Sequence, residues 1–183
     1  MDSSKIQNWN CATAAVYKSV LLFAIAGAAS SLFSIIPLMG WVASICDLCV
    51  IAGYTVFILK LKDLSLLAEE QDVAALKKLI LGVNLYFVGM MLAFIPAVGG
   101  ILKGIDLIVA FVFMLLAYNA LKKSETFAGK DGAKMLFTAM ILGAVGALLR
   151  IIPLIGIIGS ILLIVEFILT ILGWKKIASP VAE

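Results

Sequence analysis

An all-α, polytopic integral membrane protein with six transmembrane helices is the fold class this sequence predicts. Three observations predict it. Apolar residues make up 64% of the chain and charged residues 14%, against roughly 45–50% and about 25% in an ordinary soluble domain, so lipid must cover much of its surface. Apolar runs of membrane-spanning length alternate with short polar connectors. One turn sequence also returns three times, as FSIIPLMG (33–40), LAFIPAVG (92–99) and LRIIPLIG (149–156).

The recurrence goes beyond the turns. Pro37, Pro96 and Pro153 are spaced 59 and 57 residues apart, and a Lys stands nineteen residues before each: Lys18, Lys77 and Lys134. A Gly follows each Pro by three residues, at Gly40, Gly99 and Gly156. Basic residues close each unit at Lys60/Lys62, Lys122/Lys123 and Lys175/Lys176. The spacing predicts a tandem triplication of one helical hairpin within a single transmembrane domain, 1–183, with repeats at 14–62, 73–123 and 130–176.

Each repeat divides into two helices. The eighteen residues between Lys18 and Pro37 make about 27 Å of helix, close to a hydrocarbon core of about 30 Å. The twenty-two between Pro37 and Lys60 are again sufficient, as are 78–95 with 100–121 and 135–152 with 156–174. Proline ends the first helix because it has no N–H and clashes with the preceding turn. The Gly three residues later suits a reversal of the chain. A single kinked helix of about forty residues would far exceed the bilayer, and strands are excluded by run length and lack of alternation.

All three turns should then lie at one face. Twelve of the fourteen Lys and Arg residues flank the termini or separate the repeats, and only Lys103 and Arg150 lie near the turns. The bias predicts cytoplasmic termini in a plasma or inner membrane. Trp9 and Trp174 are expected at the cytoplasmic interface and Trp41 at the other. AIAGA (24–28) has the look of a signal-peptidase site, but the apolar stretch before it is short and has two counterparts later in the chain, so the segment reads as retained. Connector 62–78 is expected to prolong its helix or lie along the surface.

Parallel repeats related by an axis along the membrane normal predict a pseudo-three-fold bundle. Mitochondrial carriers are similar in plan, with three two-helix repeats that each contain Pro, but their signature P-x-[DE]-x-x-[KR] is absent. LMGWV, AVGGI and LIGII follow the prolines here. The likeness is one of symmetry alone.

Several function classes drop out. Without histidine there is no Ser-His-Asp triad and no His-ligated zinc or haem. No Walker A or dinucleotide fingerprint occurs, and no basic patch marks a nucleic-acid partner. Three cysteines give no disulfide framework, and Cys46-x-x-Cys49 reads as helix packing. No metal or cofactor is expected. Gly100-x-x-x-Gly104, Ala24-x-x-x-Ala28 and Gly143/Gly146 suit close helix approach within the bundle, or between copies in a homo-oligomer. Ala29–Ser34, Asn84 and Asn119 add modest polarity.

The chemistry concentrates in three acids. Asp47 and Asp106 each lie ten residues after their proline; in the third repeat Leu163 takes that place, and Glu166 follows one helical turn on. A charge at the bilayer centre costs about 2.5–3.5 kcal/mol on insertion scales, so these groups should face inward, pair or carry a proton. Lys103 and Arg150 are the candidate partners. The sequence therefore predicts a small-solute or ion transporter or channel, for protons or other cations, with carboxylates in the pathway. The alternative is a non-catalytic membrane subunit or scaffold that assembles with a partner protein, its acids serving as buried ion pairs. An intramembrane enzyme would need two acids close together, for which only Asp47 and Asp106 offer themselves, and none is expected.

Overall fold

The computed structural model describes residues 3–92, 99–149 and 155–179, with side chains from residue 106 onward in the second segment. Six α-helices follow in order: α1 (Ser3–Phe33), α2 (Gly40–Ser65), α3 (Glu70–Leu92), α4 (Gly99–Leu121), α5 (Lys130–Leu149) and α6 (Gly156–Ile177). No strand occurs among the described residues. Five helices are long and apolar enough to cross a membrane, and α4 adds the apolar stretch Asp106–Leu121. The chain is a multi-pass helical membrane protein.

The helices are apolar on both faces. On α1, Val16, Val20 and Phe23 are buried while Leu22, Ile25 and Leu32 are exposed; on α4, Ala110 and Met114 are buried while Ile108, Val112 and Leu116 are exposed. A water-soluble helix keeps a polar outer face; an all-round apolar one needs lipid on the outside. Helix is also the conformation that satisfies every backbone N–H and C=O within its own segment.

Consecutive helices pack as antiparallel neighbours, and α6 returns to α1, closing a six-membered ring. The tightest pairs are α1/α2, α3/α4 and α5/α6. Small residues permit this. A Cβ on Gly53 would lie 2.8 Å from the Phe23 backbone nitrogen, and one on Gly82 would lie 3.0 Å from the Ala110 carbonyl oxygen. On α5, a Cβ on Gly132 would run into the Gly173 carbonyl oxygen. In lipid, such close approach supplies the dispersion contacts that hold helices together.

The first turn differs from expectation in one respect. Met39 N–H donates to the Ile36 carbonyl at 3.2 Å, with Pro37 second in the turn and Leu38 third at φ 67°. This fits a type II turn, whose third position favours Gly. The left-handed residue is thus Leu38, not Gly40. Gly40, Gly99 and Gly156 instead open α2, α4 and α6, and no described Gly has positive φ. Pro96 and Pro153 lie outside the described residues.

The end bearing the chain termini is more ordered than its composition suggests. α1 is continuous from Ser3, and Trp9 and Trp174 are 4% and 1% exposed, so both are core residues. Trp9 meets the ring of Phe127 edge-on at 5.9 Å, and Trp174 meets Phe57 at 5.7 Å. Only Trp41, beside the first turn, is exposed. Connector 62–78 is mostly helical, with α2 ending at Ser65 and α3 beginning at Glu70. Lys122 Nζ stands 3.3 Å over the Phe137 ring, joining α4 to α5 by a cation–π contact.

Candidate functional site

Each sequence-predicted acid sits against the other helix of its own hairpin. Ser30 Oγ donates to Asp47 Oδ1 at 2.6 Å. Asp106 Oδ2 is buried against Gly89, where a Cβ would lie 2.6 Å away, and has no hydrogen-bond partner of good geometry. In the third hairpin, a Cβ on Gly146 would lie 3.2 Å from Leu163 Cγ. Ser30, Gly89 and Gly146 all stand seven residues before their prolines, and Asp47, Asp106 and Leu163 ten after. One contact therefore recurs at equivalent positions, filled by Ser–Asp, Gly–Asp and Gly–Leu. Asp47 and Asp106 belong to these seams and are not brought together. Lys103's side chain and the whole of Arg150 lie outside the described residues, so the suggested ion pairs fall there too.

Glu166 is placed differently. It lies ten residues into the 22-residue α6, about 15 Å from either helix end, and is 6% exposed. Thr170, one turn on, donates its hydroxyl to Glu166 Oε1 at 3.0 Å. A Cβ on Gly143 of α5 would lie 3.0 Å from Glu166 Cγ and 2.9 Å from the Phe111 ring of α4. Tyr54 of α2 and Tyr118 of α4 are electrostatic neighbours of the carboxyl. The carboxyl thus lies inside the ring, packed against α5 and the Phe111 ring of α4.

Aromatic side chains surround this centre. Phe23 stacks on Tyr54 at 4.2 Å and Tyr54 on Tyr86 at 4.9 Å, while Tyr86 meets Phe111 edge-on at 5.9 Å. The Tyr54 and Tyr86 hydroxyls are within reach of one another. Trp174 Nε1 is buried beside Tyr118, short of good hydrogen-bond geometry. These rings provide a low-dielectric lining and at the same time carry hydroxyl groups into it.

A second polar cluster holds the terminal end. Thr126 donates its hydroxyl to Asp72 Oδ2 at 2.8 Å, across fifty-four residues. Asp72 is 2% exposed and sits in the first turn of α3, where the helix dipole favours a carboxylate. Lys60–Asp63 at 3.2 Å and Lys134–Asp131 at 2.8 Å are exposed pairs within single helices. Lys134 also borders a surface pocket of about 440 Å³ shared with Gly129, Lys130, Asp131 and Lys176.

Sequence reading singled out neither Asp72–Thr126 nor Tyr54, Tyr118 and Thr170. Thr170 had a legible signal, four residues from Glu166 on one helix face; the others come from different helices, and no spacing announces them. Among the described residues no group of three potential metal ligands converges, and Cys11, Cys46 and Cys49 are free thiols. No protein-family model matches the chain, and neither a curated protein nor a solved structure matches it.

Proposed function

We propose that this chain moves a small solute or ion, a proton or another cation, across a plasma or inner membrane, with Glu166 as the polar group of the pathway. One observation carries the reading: a carboxyl at mid-helix, buried inside a closed ring with no cationic partner among the described residues and a single hydroxyl bonded to it. Keeping a carboxyl there costs folding energy, and intramembrane acids of this kind mark pathways and relays. The protein acts without covalent catalysis and draws on a gradient. Its repeats arose by triplication, a view supported by the recurring Ser30–Asp47, Gly89–Asp106 and Gly146–Leu163 contacts. Its termini are cytoplasmic, as the lysine distribution favours. Cysteines introduced at Leu38 and in connector 124–129 would then label from opposite sides.

The test is reconstitution in liposomes with imposed ion gradients and a panel of cation-sensitive dyes. Glu166→Gln is expected to fold and to abolish the flux. Unchanged flux in that variant removes Glu166 from the mechanism.

A second reading has its own observation. Asp47 and Asp106 serve hairpin packing, as acids in a non-catalytic subunit or scaffold would. That reading predicts a membrane-protein partner, or a second copy of this chain, that copurifies from native membranes, and no flux from the isolated protein.

A further inference from the structure

We infer that the species carried through the ring is a proton, exchanged at the Glu166 carboxyl and at the Thr170 hydroxyl bonded to it. The inference rests on the transport reading and narrows its substrate to one ion.

The groups facing the carboxyl select among cations. On α6 itself, Thr170 occupies Oε1. From α5, the Gly143 backbone closes against Cγ, and from α4 the Phe111 ring fills the adjoining space. α2 and α4 contribute Tyr54 and Tyr118. α3 contributes Tyr86, at one remove through its stack on Tyr54. From α1, Gly27 receives the Phe167 ring next to Glu166, and Phe23 backs Tyr54. Among the described residues no Lys or Arg pairs with Glu166.

A bound metal cation needs a shell of oxygens; Ca²⁺, for instance, takes about six to eight. Here a single carboxyl, with Oε1 already engaged by Thr170, lies against the Gly143 backbone and the Phe111 ring. An organic cation would need the volume that the stacked rings of Phe23, Tyr54 and Tyr86 already fill. A proton needs only the carboxyl and the hydroxyl bonded to it, and adding one removes the charge that is costly at this depth.

The step balances simply. An O–H bond forms on Glu166 as a proton arrives from one side and breaks as the proton leaves to the other, with the imposed gradient as the energy source. Thr170, one turn toward the C-terminal end of α6, is the buried hydroxyl that meets the carboxyl.

The test uses full-length protein in vesicles with an internal pH dye, a potassium diffusion potential set by valinomycin, and parallel vesicles reporting sodium. Internal acidification by the wild type, slowed about a hundredfold or more in Glu166→Gln, supports the proposal. Thr170→Val keeps the shape and removes the hydroxyl bonded to Glu166. It is expected to slow acidification severalfold, and thermal unfolding of both variants beside the wild type separates loss of the proton route from misfolding. Flux of sodium or another cation with no change in internal pH overturns the proton assignment and leaves transport standing. No flux of any ion overturns both. Acidification that survives in Glu166→Gln assigns the proton to another route and overturns the relay.

Discussion

Replacing Gly132 by Ala tests whether α5 and α6 are held by direct backbone contact. A Cβ at Gly132 would run into the Gly173 carbonyl oxygen and the Ile177 side chain, and one on Gly173 would lie 2.7 Å from Leu136 Cγ and 3.1 Å from the Gly132 oxygen. A backbone oxygen cannot rotate away as a side chain can, so the helices must part by about an ångström, which already forfeits a sizeable share of the local dispersion energy. Overpacking of this kind costs about 1–3 kcal/mol, and alanine returns up to about 1 kcal/mol through helix propensity. The net expectation is a loss of about 1–2 kcal/mol. Gly40→Ala is the control, since nothing lies within 4 Å of its Cβ; it should be neutral or stabilising by up to about 1 kcal/mol. Thermal unfolding of both variants in one detergent, followed by far-ultraviolet circular dichroism, measures the difference. Equal stability of the two would refute the reasoning that backbone proximity sets this seam.

Leu38→Gly should stabilise the protein by about 1 kcal/mol in the same assay, because Leu38 is 95% exposed yet held at φ 67°, a conformation that costs a branched residue about 1–2 kcal/mol. A double-mutant cycle with Ser30→Ala and Asp47→Asn should return a coupling of about 0.6–1.7 kcal/mol, the range for hydrogen bonds between membrane helices; a coupling of zero would deny the bond. Thr126→Val should cost about 1–3 kcal/mol by leaving the buried Asp72 carboxylate without its donor. Its signature is faster amide hydrogen exchange in 122–129 than in the wild type.

Composition and spacing were sufficient for the helical membrane class. Lipid removes the choice of structure from the backbone, and helix is the answer for any apolar run of about twenty residues. The turn prolines were equally legible at Pro37, where the chain reverses within the span 34–39. Two finer readings did not transfer. Trp9 and Trp174 looked like interfacial anchors but are packed inside, because an indole ring buries in a helix bundle as readily as at a headgroup. Gly40 looked like the residue that lets the chain reverse, but the following helix begins there and Leu38 takes the left-handed conformation.

The three acids were visible as residues, but not as a site. Their periodicity placed them on related helix faces, and their partners then separated them: Asp47 bonds Ser30 and Asp106 lies against Gly89 at equivalent hairpin positions, whereas Glu166, one turn deeper, packs on Gly143 beside the Phe111 ring and takes the Thr170 hydroxyl. Spacing along one helix reports which residues share a face; it carries nothing about which distant helix that face will meet. From one dimension, then, come the lipid environment, the spans and the reversals, all consequences of local chemistry. The closing of α6 on α1 and the burial of one carboxyl inside the ring come only from packing, since they depend on small residues meeting particular partners: Gly27 receives the Phe167 ring from 140 residues away, and Gly143 lies against Glu166 and the Phe111 ring.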